Sequence, residues 1–284
     1  MTQYFEVIDR DATALLGELR LDDAITTPAL VGDLIEDYGS LWTDERETPD
    51  GDSSVVSLFP HRAAPSGTPG EVVDEKQTEY VAEEVAPDFP SATVVSVEKP
   101  EPTGHDLYVL TGLQRGRSRN LVEGVMGARR SLEPDSALML PGVATPRNVA
   151  ILSYLGVDAF DEDYAVVKGK DRVYMTRELE IDVGELDELP CACSVCADSE
   201  PGELSHSEIA EHNVSLLRAE LANVRDKIRN GNLREYVEGQ VRHARWQVET
   251  MRLVDQELSY VEERTPVVRQ SNLMANSSET LDRV

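Results

Sequence analysis

Apolar and polar residues alternate at the start of the chain, in Phe5-Glu6-Val7-Ile8 and again in Leu15-Leu16-Gly17-Glu18-Leu19-Arg20-Leu21, with Asp9-Arg10-Asp11 as a polar break between them. A period of two marks a strand with one covered face. Residues 4–31 therefore read as two short strands and a turn, running on into Thr26-Thr27-Pro28-Ala29-Leu30-Val31. Residues 44–104 are rich in Pro, Gly, Ser and acids, and hold only the short apolar runs Val55–Phe59 and Ala92–Val97. From Leu107 the pattern becomes regular. Leu107–Leu110 reads as a strand, Asn120–Ser131 as a helix, and Ala137–Leu140 as a strand ended by Pro141-Gly142. Thr145-Pro146 opens a helix to about Leu155, with Thr as N-cap and Pro at the first helical position, and Gly156–Phe160 is the next strand. Strand and helix in alternation predict a parallel sheet with helices outside it. The runs Tyr164–Val167 and Arg172–Met175 read as a hairpin.

Beyond position 196 the period lengthens. Val214, Leu217, Leu221, Val224 and Ile228 recur at three and four, one apolar stripe of a helix that Asn230-Gly231-Asn232 stops. Leu233, Tyr236, Val237 and Val241 start a second helix, predicted to run through Trp246 to Leu258. The last twenty residues are polar and weakly patterned, as in a linker or tail.

Composition narrows the setting. The 284 residues allow one large domain or two modest ones. No apolar run approaches the ~20 residues that cross a bilayer. The first residues lack the basic and apolar parts of a signal peptide, so the expectation is a cytoplasmic, membrane-free chain with reduced cysteines. The net charge is −27, and only five of the 27 basic residues are lysine. Such acidity with so little lysine suits a halophilic protein, because at ~1 M salt the Debye length falls to ~3 Å and self-repulsion is screened. Two islands run against the background: Leu113–Arg130 carries +4, with Arg115, Arg117 and Arg119 close together, and Asn213–Arg252 carries +3. A polyanion such as RNA would approach there; the competing reading is helix faces with internal ion pairs.

The sharpest chemical signal is Cys191-x-Cys193-x-x-Cys196, which uses every cysteine of the chain, with His206 and His212 downstream as rival fourth ligands. Three thiolates and one imidazole form a closed tetrahedral set of the kind a structural zinc ion takes. An odd cysteine count at this tight spacing argues against disulfides.

The stretches Leu140-Pro141-Gly142-Val143-Ala144-Thr145-Pro146, Gly156-Val157-Asp158-Ala159-Phe160-Asp161, Leu189-Pro190-Cys191-Ala192-Cys193-Ser194-Val195-Cys196 and His212-Asn213 together resemble the archaeal tRNA-guanine transglycosylases. The resemblance implies an α/β fold, a TIM-barrel-like domain over 1–190, with a zinc-binding helical subdomain over 191–264 and a tail over 265–284. It implies Zn2+ held by Cys191, Cys193, Cys196 and His212, which favours His212 over His206. It also implies tRNA as partner, Asp158 as the nucleophile at a strand's C-terminal tip, and dimers formed through the zinc region. The Asp-Ser-Gly-x-x-Gln segment of active members is absent, and the region from Thr27 to Leu107 is too short for the units of a full barrel at ~30 residues each. The shortened first half is more similar to the N-terminal half of the archaeosine synthases, paralogues in which a second half bears further chemistry and a PUA RNA-binding domain. That implies a tRNA-modification component working with a companion chain. A stand-alone transglycosylase and a non-catalytic zinc-stabilised interaction module are the alternatives.

Overall fold

The computed structural model describes residues 2–39, 49, 51–60, 71, 87–97, 100–113 and 118–266. Arg115, Arg117 and most of the 265–284 tail lie outside them. The chain opens with an antiparallel three-stranded sheet, β1 (Phe5–Asp11), β2 (Ala14–Leu19) and β3 (Ile25–Thr27). The expected polar break at Asp9-Arg10-Asp11 is the end of β1, and the turn falls at Ala12-Thr13.

A second sheet follows, parallel throughout and seven strands wide. In chain order it holds β4 (Ala29–Leu30), β5 (Ile35–Asp37), β6 (Val56–Leu58), β7 (Ser91–Ser96), β8 (Leu107–Thr111), β9 (Ala137–Met139) and β10 (Ala159–Phe160). The spatial order is β4-β10-β9-β8-β7-β6-β5, so the two outermost strands are neighbours in sequence, joined only by the 3-10 turn Gly32–Leu34 and its flanks. A flat sheet would part its outer strands by ~29 Å at ~4.8 Å per step. The five Cα steps from Leu30 to Ile35 reach at most ~19 Å. The sheet therefore curls until one segment, 29–37, serves both margins. Counted as chain passes among the described residues it is a barrel-like sheet of six, against eight in a full (β/α)8 barrel.

The alternation of strand side chains sorts two cores. Ala29, Val56, Leu58, Ala92, Leu107, Val109, Ala137, Met139 and Ala159 join Phe5 and Leu19 of the N-terminal hairpin in one cluster inside the curl. Tyr108, Leu110, Leu138, Leu140 and Phe160 point outward, onto helices. Four of the inward positions are alanine, which suits the tighter radius of a barrel with fewer passes. The hairpin is anchored at the N-terminal end of the strands, where Asp106, just before β8, accepts hydrogen bonds from the backbone N–H groups of Gln3 (3.0 Å), Tyr4 (2.8 Å) and Ser91 (3.1 Å).

Helices α1 (Ser118–Ser131) and α2 (Val149–Leu155) cover the outer face, as the alternating pattern foretold. α2 begins later than Thr145; Pro146–Asn148 is a turn in which Asn148 Oδ1 accepts from the Thr145 N–H at 2.8 Å. The expected Tyr164–Val167 hairpin arm is instead part of helix α3 (Asp163–Lys170). There packing overrides the strand preference of Val166-Val167: Gly169 lies so close to Ala210 that an added Cβ would overlap that residue's backbone. The strand β11 (Val173–Met175) pairs with β12 (Glu180–Asp182), which the sequence reading did not identify. Helix α4 (His206–Arg229) ends before Gly231 at φ +62°, as expected. The single helix expected after it is three: α5 (Leu233–Gln240), α6 (Arg245–Gln256) and α7 (Leu258–Arg264), with Ala244 extended between the first two. α4, α5 and α6 share the outer core with α1 and α2. No helix among the described residues is long and apolar enough to cross a membrane.

Candidate metal centre

The three cysteines sit in a tight loop turned by hydrogen bonds from the Cys196 N–H (3.1 Å) and the Ala197 N–H (3.0 Å) to the Cys193 carbonyl. Opposite them stands the N-terminal part of α4. Its start is fixed by a capping box, in which Ser205 Oγ accepts from the Glu208 N–H and the Glu208 carboxylate accepts from the Ser205 N–H at 2.8 Å. That phase puts His206 in the first turn, exposed, with Nδ1 against the Lys170 carbonyl at 2.5 Å, and carries His212 to the buried side. The structure thus brings together Cys191, Cys193, Cys196 and His212, with one ligand atom of each within 4.8 Å of all the others, and leaves His206 out.

The spacing suits a metal ion. A tetrahedral site with bonds of ~2.3 Å to sulfur and ~2.0 Å to nitrogen has S···N edges of roughly 3.5 Å. His212 Nδ1 lies 3.5 Å from Cys193 Sγ and 3.3 Å from Cys196 Sγ. The imidazole's other nitrogen, Nε2, is 2.9 Å from the Met175 carbonyl, to which it donates; this leaves the Nδ1 lone pair facing the thiols. Burial lowers the His212 pKa, which keeps the ring in the neutral form a metal needs. Tyr174 stacks on the imidazole at 3.9 Å and sets its hydroxyl 3.4 Å from Cys196 Sγ. Burial also pushes the Cys196 thiol up to about 12, so a bound cation is what would bring this sulfur to the thiolate form.

Asn213 completes the unit, and the sequence reading gave it no role of its own. Its amide accepts from the Met175 N–H (2.9 Å) and donates to the carbonyls of Val173 (2.9 Å) and Ala165 (3.2 Å). The His-Asn pair therefore grips β11 with two consecutive side chains, and the signal for it was the pair itself.

Asp158 is not where the sequence reading put it. It precedes β10, at the N-terminal end of the strand, and is fully buried. Its Oδ2 is paired with the Arg129 guanidinium and accepts from the Leu138 N–H at 2.8 Å; Arg129 also donates to the carbonyls of Gly156 (2.7 Å) and Ser136 (2.8 Å). This is a buried clamp between α1, β9 and β10, at the end of the sheet away from the one where barrel chemistry sits. The carboxylate at the C-terminal tip of β10 is Asp161. Its Oδ2 accepts from the Gly142 N–H at 2.7 Å, its Cβ lies close to Gly32, and burial raises its pKa. Placement just after the last apolar residue of the strand, Phe160, was the signal that distinguishes it. Arg119 is exposed at the start of α1 and paired with Glu123 at 3.3 Å.

The chain is 47% identical to the archaeosine synthase of Haloferax volcanii, over all of this chain and 48% of that protein. It is 37% identical to the archaeosine synthase subunit alpha of Methanosarcina acetivorans, over all of this chain and 50% of that one. Identity to the tRNA-guanine(15) transglycosylase of Methanothermobacter thermautotrophicus is 32%, over 59% of this chain and 27% of the other. The chain thus spans about half the length of these two relatives. The family model for queuine tRNA-ribosyltransferase matches residues 89–245, which run from β7 through the cysteine loop to the start of α6, and the chain belongs to that family, the tRNA-guanine transglycosylases.

Proposed function

We propose that the chain is the transglycosylase-like, zinc-holding half of an archaeosine synthase, acting on a deazaguanine base in tRNA together with a companion half. The observation that carries this reading is the end-to-end match, at 47% identity, to half of a protein called archaeosine synthase. The word "subunit" in the name of the Methanosarcina relative supports a companion chain. Zinc would be held by Cys191, Cys193, Cys196 and His212 as a closed structural site, and it would supply fold stability, not reaction chemistry. The residues around it would dock the cysteine loop onto β11 and α4. Asp158 would serve the scaffold through Arg129, and Asp161, just beyond the C-terminal end of β10, would be the acid that meets a base. The described residues supply six chain passes to the sheet where a full barrel has eight, which supports a scaffold that binds and presents tRNA without completing base exchange alone.

The test is incorporation of labelled deazaguanine into tRNA by the purified, zinc-loaded chain in molar potassium chloride. No incorporation alone, with activity restored by a companion chain, is the expected result. Efficient incorporation by the chain alone would replace this reading with that of a stand-alone transglycosylase.

A further inference from the structure

A groove of about 570 Å³ runs between the first strands and helix α4, with Ile25, Thr26 and Leu30 along one wall and Arg218, Arg225 and Arg229 along the other. No acid among the described residues lines it. The arginines recur at seven and four along α4, which keeps them on one side of the helix over roughly 16 Å at 1.5 Å per residue. The chain carries twice as many acids as bases, yet no carboxylate among the described residues fills this groove. Here Arg218 pairs with Glu162 at 3.2 Å, Arg225 gives a hydrogen bond to the Pro28 carbonyl at 2.5 Å, and neither Arg225 nor Arg229 has an ion pair among the described residues. Burial lowers the Arg225 pKa, and the neighbouring Arg229 charge adds to it. The groove lies within the second of the two positive islands of the sequence, and its Arg218–Glu162 end adjoins Asp161 at the tip of β10.

We infer that this arginine-walled groove takes the sugar–phosphate backbone of tRNA, with Arg218, Arg225 and Arg229 on successive phosphates. The inference rests on the tRNA reading above and adds the surface through which tRNA is held. A row of guanidiniums in an open trough matches a row of phosphates, whereas a single small anion calls for an enclosed site. Interactions of this kind fix position and register without reading sequence.

The test is binding of an unmodified tRNA transcript to the full chain, by fluorescence anisotropy over a potassium chloride series. The variants are Arg225→Gln/Arg229→Gln and Arg218→Gln/Arg229→Gln, with Arg252→Gln on α6 as a control and circular dichroism to check each fold. Removing one phosphate-binding guanidinium should reduce the slope of log K against log salt by ~0.7 to ~0.9, and a pair should weaken binding roughly tenfold or more at the lowest salt used. The second pair is exposed, so it reports even if Arg225 proves necessary for folding. If the wild type binds and both pairs bind with its slope, the groove is wrong and the tRNA reading stands. If the folded wild type binds no tRNA at any salt, both fall.

Discussion

Asp158 shows how far a single residue's role depends on which end of a strand it occupies. As a tip carboxylate it would be dispensable for folding; as the partner of buried Arg129 it is not. Asp158→Asn should lower stability by about 3–5 kcal/mol, because it leaves a guanidinium buried without its counter-charge. Asp158→Leu with Arg129→Met should recover part of that loss in a denaturant titration, and equal loss in single and double variants would refute the clamp. His105 offers a test in pH. It is buried beside Ser91 Oγ at 3.0 Å, and burial depresses its pKa to about 4. The unfolded ring binds a proton near pH 6.5 and the folded one does not, so stability is full above that pH. It then falls as pH drops toward 4, by about 3 kcal/mol. In molar potassium chloride the urea midpoint of His105→Leu should lack this share of the acid limb. The Cys-x-Cys-x-x-Cys run was legible at this scale because soft ligands at that spacing have few other uses; spacing alone left His206 and His212 as rivals, separated by the phase of α4, and the family resemblance of the His212-Asn213 pair made the choice of His212, the histidine that the structure brings to the cysteines.

Elements were legible where one period dominated. The strands and helices from Leu107 to Leu155 and the stripe of α4 follow their patterns because each buries one face. The helix at Asp163–Lys170 was misread because its β-branched residues speak locally for a strand while Gly169 speaks for close packing on α4. Gly169→Ala should therefore cost about 1–3 kcal/mol or more, read as a lower melting temperature, whereas the same change at Gly127, where a Cβ meets nothing within 4 Å, should stabilise the helix slightly. The break at Val241–Ala244 carries no Gly or Pro, so nothing in the sequence announced it. The cysteine loop, β11 and the start of α4 form their own small core, with Tyr174, Val183 and Ile209 in it. If that core depends on metal, Cys193→Ser or a strong chelator should remove hydrogen-exchange protection from 173–212 while the parallel sheet keeps its own; unchanged protection without metal would show that the loop folds on its own packing alone.

At the scale of the molecule, the count of passes could be bounded from length but not closed from sequence, since pairing between Ala29 and Ala159 leaves no local trace. If the chain is one half of a larger enzyme, a second chain should co-purify with it from its native source, and a lone monodisperse species in size-exclusion chromatography with light scattering would weigh against that. The single segment 29–37 that borders β10 on one side and β6 on the other also sets an order of events during synthesis. The N-terminal hairpin and its small apolar plug leave the ribosome early, yet the seam they close cannot zip until residue 160 has emerged. Until residue 160 has emerged the nascent chain must carry unpaired strand margins, and its dense negative charge is then a safeguard against self-association.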